Sequence, residues 1–132
     1  MCSSDLSPLG RGMLTGAIKS DSDMTENDRR REHPRFQGDN LKHNAAIVAP
    51  IEALAKDKGY TPAQIALAWC LAQGENVIPI PGSKQLDHLN LNIAACDVEL
   101  TPVDLDKLAD SIPPDFTAGS RYPDAQMWTV DA

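Results

Sequence analysis

The sequence predicts an α/β chain that is mostly helical, and three observations carry that reading. Val77-Ile78-Pro79-Ile80-Pro81 is apolar on both faces, the pattern of a strand buried in a parallel sheet. Gly82-Ser83-Lys84 interrupts it, and Leu86, Leu89, Ile93 and Ala94 then mark a helix with its amino end at Ser83, which completes a βα unit. Thr61-Pro62 and Thr101-Pro102 each pair an N-capping hydroxyl with a proline suited to a first helical turn.

The elements follow in order. Met1–Leu6 runs directly into Ser7-Pro8-Leu9-Gly10-Arg11-Gly12, a glycine-rich turn, and the stretch from Leu6 to Leu9 is the other strand candidate. Residues 17–40 carry Asp21, Asp23, Glu26, Asp28, Arg29, Arg30, Arg31 and Arg35 but few apolar side chains besides Ile18, Met24 and Phe36. They read as a long solvated loop, of the kind that covers a site or is disordered. From Leu41 to Lys58 apolar residues recur at three- and four-residue steps, an amphipathic helix closed by Gly59. Thr61 and Gln64 form a capping box for a helix reaching about Gln73, and Thr101 and Asp104 do the same for a last helix that stops at Pro113-Pro114. The tail, 115–132, has little periodicity and reads as irregular.

Residues 1–132 thus read as a single partial domain. A buried parallel strand needs neighbours on both edges, and one other strand is on offer. Either the missing strands come from another chain, or the protein is a truncated piece whose apolar strand edges are exposed and aggregation-prone. A small non-enzymatic helical module that associates with itself or a partner through its uncovered strand edges is the competing reading.

Composition narrows the function. Twelve Lys and Arg stand against 19 Asp and Glu, a net charge of −7 that disfavours nucleic acid as a partner. No window approaches the length of an apolar membrane span, and the first residues lack the basic start and apolar stretch of a signal peptide. Cys2, Cys70 and Cys96 are odd in number and far apart, which fits a reducing cytoplasm. His33, His43 and His88 fall in no metal-ligand spacing, so no metal is expected.

Binding groups stand out more than a reaction centre does. Pro81-Gly82-Ser83-Lys84 sets a glycine, a hydroxyl and an ammonium where a strand turns into a helix, either an ordinary βα turn or a phosphate site. His88 lies one helical turn beyond Lys84, on the same face. The glycines of Ser7–Gly12 allow a second backbone cradle for an anion, although its spacing matches neither a Walker nor a dinucleotide fingerprint. Arg29, Arg30, Arg31 and Arg35 read as a solvated cluster or a lid over an anionic ligand. Trp69 reads as core, whereas Tyr122 and Trp128 cap a pocket or simply pack. Cys70 sits in an apolar helix, and no serine has the surroundings of a nucleophile.

Two segments taken together resemble the C-terminal third of an aldo-keto reductase: Ser7–Gly12 with Leu14-Thr15-Gly16, and Ile78–Lys84 followed by Asn92. Tyr60–Trp69, Pro34-Arg35-Phe36 and Arg121-Tyr122-Pro123 resemble that family as well, so the likeness runs from about Ser7 to Met127. It implies strands seven and eight of a (β/α)8 barrel, with their helices, that binds NADP(H) in extended form and reduces aldehydes or ketones by hydride transfer. Ser7, Pro8, Leu9 and Arg11 would wrap the pyrophosphate. Gly82 would belong to the cofactor-binding set, Ser83 and Lys84 would meet the 2′-phosphate, His88 would flank the adenine ribose, and Asn92 would meet the adenine. Gln85 and Leu91 stand where the family commonly has a basic residue and a glutamate, so NAD(H) stays open beside NADP(H). No residue matches the family's catalytic Asp, Tyr, Lys and His. The resemblance therefore implies a cofactor-binding portion that is inactive alone, its small carbonyl substrate met only in the full-length enzyme.

Overall fold

The computed structural model describes residues 3–5, 7–113 and 115–129. β1 (Ser3–Asp5) and β2 (Val77–Pro79) pair in parallel, with Ser3 opposite Val77 and Asp5 opposite Pro79. The first strand therefore precedes the glycine turn. It does not occupy Leu6 to Leu9, because Pro8 and Leu9 already belong to the turn and Leu6 lies outside the described residues. Pro79 suits a ladder end, since it has no N–H to donate.

β2 is less buried than its sequence suggests. Val77 and Pro79 are half-buried while Ile78 is 52% exposed, the alternation of a strand covered on one face. α3 (Pro62–Leu71) packs against it, and Ile78 and Ile80 point away from cover among the described residues.

The helix read as continuous from Leu41 to Lys58 is two: α1 (Gly38–Ala45) and α2 (Val48–Lys58). Pro50 explains the break. A proline clashes with the carbonyl four residues before it, here Ala46, so the chain cannot pass through as one helix, whereas the third position of a new helix accepts it. Gly59 ends α2 in the left-handed region at φ 75°. The capping box then starts α3: the Gln64 N–H donates to Thr61 Oγ1, and the Thr61 N–H donates to Gln64 Oε1 at 3.0 Å. α3 stops at Leu71, two residues short of Gln73. α4 (Leu86–Ala94) and α5 (Pro102–Ser111) follow, and among the described residues no helix is long and apolar enough to cross a membrane.

Two apolar clusters hold these elements. In one, Ile51, Leu54 and Ala55 of α2 meet Ile65 and Ala68 of α3, Leu108 of α5 and Val98. The other gathers Met13, Ile18, Met24 and Phe36 against Leu41 and Val48. The segment 17–40 therefore contributes three buried anchors, joined by short 3₁₀ turns at Asp21–Asp23, Arg29–Glu32 and Pro34–Phe36. Few as they are, those three side chains anchor it to the second cluster. The tail adds a 3₁₀ segment at Asp124–Thr129.

α5 is tied to α2 by one carboxylate. Asp104 Oδ2 meets Lys58 Nζ at 2.9 Å, the Thr101 hydroxyl at 2.7 Å and the Thr101 N–H at 2.8 Å. Lys58 first, then Thr101, holds the carboxyl down from an ordinary 3.8 to about 2. A depressed carboxylate stabilises the fold above its unfolded value, and that stabilisation disappears as pH falls from 3.8 through about 2. Asp104→Asn is expected to cost about 1–2 kcal/mol near neutral pH, read by urea unfolding, with the gap to wild type closing across that acid window.

Candidate functional site

The turn after β1 is built on unusual backbone. Gly10, Arg11 and Gly12 all have positive φ, at 56°, 56° and 90°. Glycine takes this region freely, whereas a residue with a Cβ pays about 1–2 kcal/mol for it, so something must hold Arg11 there. Within the turn, the Gly10 N–H donates to the Ser7 carbonyl, and those of Gly12 and Leu14 donate to the Leu9 carbonyl. These bonds shape the cradle and occupy three of its donors.

Arg30 supplies the hold from outside. Its Nη1 donates to the Arg11 carbonyl at 3.0 Å. Arg30 is itself fixed by a two-pronged pair with Asp28, Nε to Oδ1 at 2.9 Å and Nη2 to Oδ2 at 2.6 Å. That fork keeps the Asp28 carboxyl at about 2 and raises the guanidinium, so both stay charged. A Cβ at Gly12 would lie 3.1 Å from Arg30 Nη1, which makes Gly12 a close-approach glycine as well as a conformational one. Arg31 meets Asp21 Oδ2 at 2.6 Å and the Asp21, Met24 and Thr25 carbonyls. Arg30 and Arg31 are therefore staples of segment 17–40, and their backbone carbonyl partners are what local charge patterning could not reveal.

Beside the turn lies a cavity of about 560 Å³, whose walls include Pro8, Trp69, Leu108, Ile112 and Tyr122. Trp69, expected in the core, is 40% exposed and forms part of this wall, because α3 turns it away from the α2 contact. Arg11, Arg35 and Arg121 also line the cavity, and among the described residues no carboxylate does. Burial, followed by the charges of Arg121 and Arg11, lowers the Arg35 guanidinium from its usual value. The mouth is cationic in a chain of net charge −7. His33 is likewise pushed down, by burial and then by Arg11, and its Nδ1 is buried with no hydrogen-bond partner among the described residues.

The second cluster follows β2. α4 begins at Leu86 with Gln85 as its N-cap, not at Ser83, because Gln85 is still extended at φ −122° and ψ 145°. Lys84 therefore precedes the helix and shares no helical face with His88; His88 and Asn92 are the pair one turn apart. Asn92 Nδ2 donates to Ser83 Oγ at 2.9 Å, leaving the hydroxyl proton for the Pro81 carbonyl at 3.3 Å. Ser83, Lys84 and His88 are exposed, Asn92 is half-buried, and the space beside Gly82 is open. At the first cluster Pro8 is buried, Leu9 and Arg11 are half-buried and Ser7 is exposed.

Sequence reasoning missed Arg30's role and also Asn44, which is fully buried and reaches the tail. One signal was present: Leu41, Asn44 and Val48 share helical spacing, so an amide stands on a face otherwise apolar.

Residues 5–112 match the model of the Aldo/keto reductase family. The chain is 42% identical over 116 residues to the aldo-keto reductase yakc [NADP(+)] of Schizosaccharomyces pombe, covering 88% of this chain and 34% of that protein. It is 46% identical to the probable aldo-keto reductase 1 of Glycine max, covering 88% of this chain and 33% of that one. It thus spans about a third of the length of these curated relatives. Among solved structures, glycerol dehydrogenase AKR11B4 from Gluconobacter oxydans superposes with a TM-score of 0.71 at 26% identity, over 89% of this chain and 37% of that one. The fold is accordingly part of a (β/α)8 barrel, mostly helical and with no closed sheet among the described residues.

The fork at Arg30 generates a prediction. Arg30→Ala is expected to lower stability by about 1–3 kcal/mol in urea unfolding, and Arg30→Lys to recover little of it, because a point charge cannot bridge Asp28 and the Arg11 carbonyl together.

Proposed function

The chain belongs to the aldo/keto reductase family, and from that premise we propose that it carries the cofactor-binding end of an NADP(H)-dependent carbonyl reductase. In this reading the turn of Ser7, Pro8, Leu9 and Arg11 holds the pyrophosphate. Gly82, Ser83 and Lys84 hold the 2′-phosphate, His88 flanks the adenine ribose and Asn92 reaches the adenine. Bound NADPH would supply the hydride for an aldehyde or ketone, while this chain supplies no proton donor. It is inactive alone.

The observation that supports this best is the bond from Asn92 to Ser83 beside the exposed Lys84. Asn92 fills an acceptor site on Oγ, so the hydroxyl proton exchanges its long bond to Pro81 for a phosphate oxygen without losing its orientation. Among the described residues Lys84 has no ion-pair partner to surrender, and the open side of Gly82 admits a bulky anion. The name of the yakc relative also favours NADP(H). Gln85 and Leu91 keep NAD(H) as the competitor.

Titration of NADPH and NADH, followed by nicotinamide fluorescence, tests the assignment. Lys84→Ala is expected to weaken NADPH about tenfold and leave NADH unchanged, since only NADPH carries the 2′-phosphate. Equal losses would remove that role from Lys84.

A second reading rests on Ile78 of β2 and Leu86 and Ile93 of α4, large apolar side chains that are each exposed. They suit association, with a further copy or with other strands of a barrel. If self-association dominates, size-exclusion chromatography shows a discrete oligomer that Ile93→Lys dissociates; soluble aggregate of both forms speaks against a defined interface.

A further inference from the structure

We infer that the tail segment 116–122 is a latch that holds the Arg11 turn in its left-handed form, with Asn44 and Tyr122 as positioning residues. Its effect on cofactor binding rests on the reading of that turn as the pyrophosphate cradle; its effect on the turn itself does not.

The latch is seated by contacts spread along its length. Asn44 treats Ala118 as a strand neighbour would: Nδ2 donates to the Ala118 carbonyl at 2.9 Å, and Oδ1 accepts the Ala118 N–H at 2.8 Å. The same Nδ2 donates to the Arg35 carbonyl at 2.9 Å, so one buried amide joins α1, segment 17–40 and the tail. His43 Nε2 lies 2.7 Å from the Phe116 carbonyl, with the two rings stacked at 4.6 Å. Arg35 Nε donates to the Gly119 carbonyl at 3.2 Å. Gly119 has φ 86°, and a Cβ there would stand 3.0 Å from the Pro34 backbone carbon, so the tail lies as close as a glycine permits.

So placed, the tail ends on Arg11. Arg11 Nη1 donates to the Arg121 carbonyl at 3.1 Å, and its guanidinium carbon sits 4.7 Å from the centre of the Tyr122 ring. His33 braces the same spot, its ring tilted against that of Tyr122 with the centroids 5.9 Å apart. Arg11 is therefore held at both ends, its carbonyl by Arg30 and its guanidinium by the tail. The Gly119 and Arg121 carbonyls also turn their negative ends toward Arg35 and Arg11, which offsets the repulsion among the cavity's guanidiniums.

The test compares wild type, Tyr122→Ala, Tyr122→Phe and Asn44→Leu in the full chain by amide hydrogen exchange of a peptide spanning Gly12 and Leu14, alongside NADPH titration. Tyr122→Ala and Asn44→Leu are expected to speed exchange there about threefold or more, while Tyr122→Phe, which keeps the ring face, leaves it unchanged. NADPH affinity is expected to fall severalfold in the first two, because the turn is no longer preorganised. Unchanged exchange in both overturns the latch. A loss of NADPH affinity without faster exchange also overturns it, since Tyr122 would then be touching cofactor. Faster exchange in a chain whose wild type binds no NADPH supports the latch and removes the cofactor reading of the turn. Reciprocally, Arg11→Ala is expected to speed tryptic cleavage after Arg121, and an unchanged rate contradicts the mutual hold.

Discussion

The hydrogen bond from Arg30 to the Arg11 carbonyl joins two parts of the chain that have no sheet or helix in common. Arg11 is left-handed with a long side chain, a conformation that relaxes unless its peptide is gripped. Arg30 is a suitable grip because Asp28 has already immobilised its plane, so little side-chain freedom is left to lose when the carbonyl is bound. Segment 17–40 thereby acquires a reason to be ordered beyond its three buried anchors. Its turns bring a rigid cation to the back of the glycine turn.

Charge is distributed to match. Acidic residues dominate the chain as a whole, yet among the described residues the cavity beside the turn is lined by Arg11, Arg35 and Arg121 and by no carboxylate. Backbone carbonyls from the tail face two of these cations. A carbonyl dipole orients a guanidinium without neutralising it, so the mouth stays positive. A carboxylate in the same place would have cancelled the field that an anionic ligand meets.

What could be read in the sequence was what local chemistry decides. The capping boxes at Thr61 and Thr101 need only residues three apart, and both stand as the spacing implies. Pro50 was equally local, and it divides a helix that apolar periodicity alone runs together. The place of β1 was not local, because its pairing is set by a partner more than 70 residues away. Asn44 and Arg30 escaped for a related reason: their partners are backbone carbonyls, which every residue carries and no pattern marks. At the second cluster the family resemblance drew attention to Ser83, Lys84, His88 and Asn92, but periodicity began the helix too early. Once Gln85 is extended, Ser83 meets Asn92 through the fold of the loop and not through helical register.

The junction of α2 and α3 has a mechanical consequence. Gly59 closes one helix in the left-handed region and Thr61 caps the next, so Tyr60 alone separates two terminating devices. An elbow this short has no slack. One added residue would turn the apolar face of α3 by about 100° away from α2, whereas the same residue placed between Ile18 and Met24 would disturb one short exposed turn and leave both buried anchors in place. Length variation in this chain is thus channelled into segment 17–40 and excluded from the helical pair that supports it.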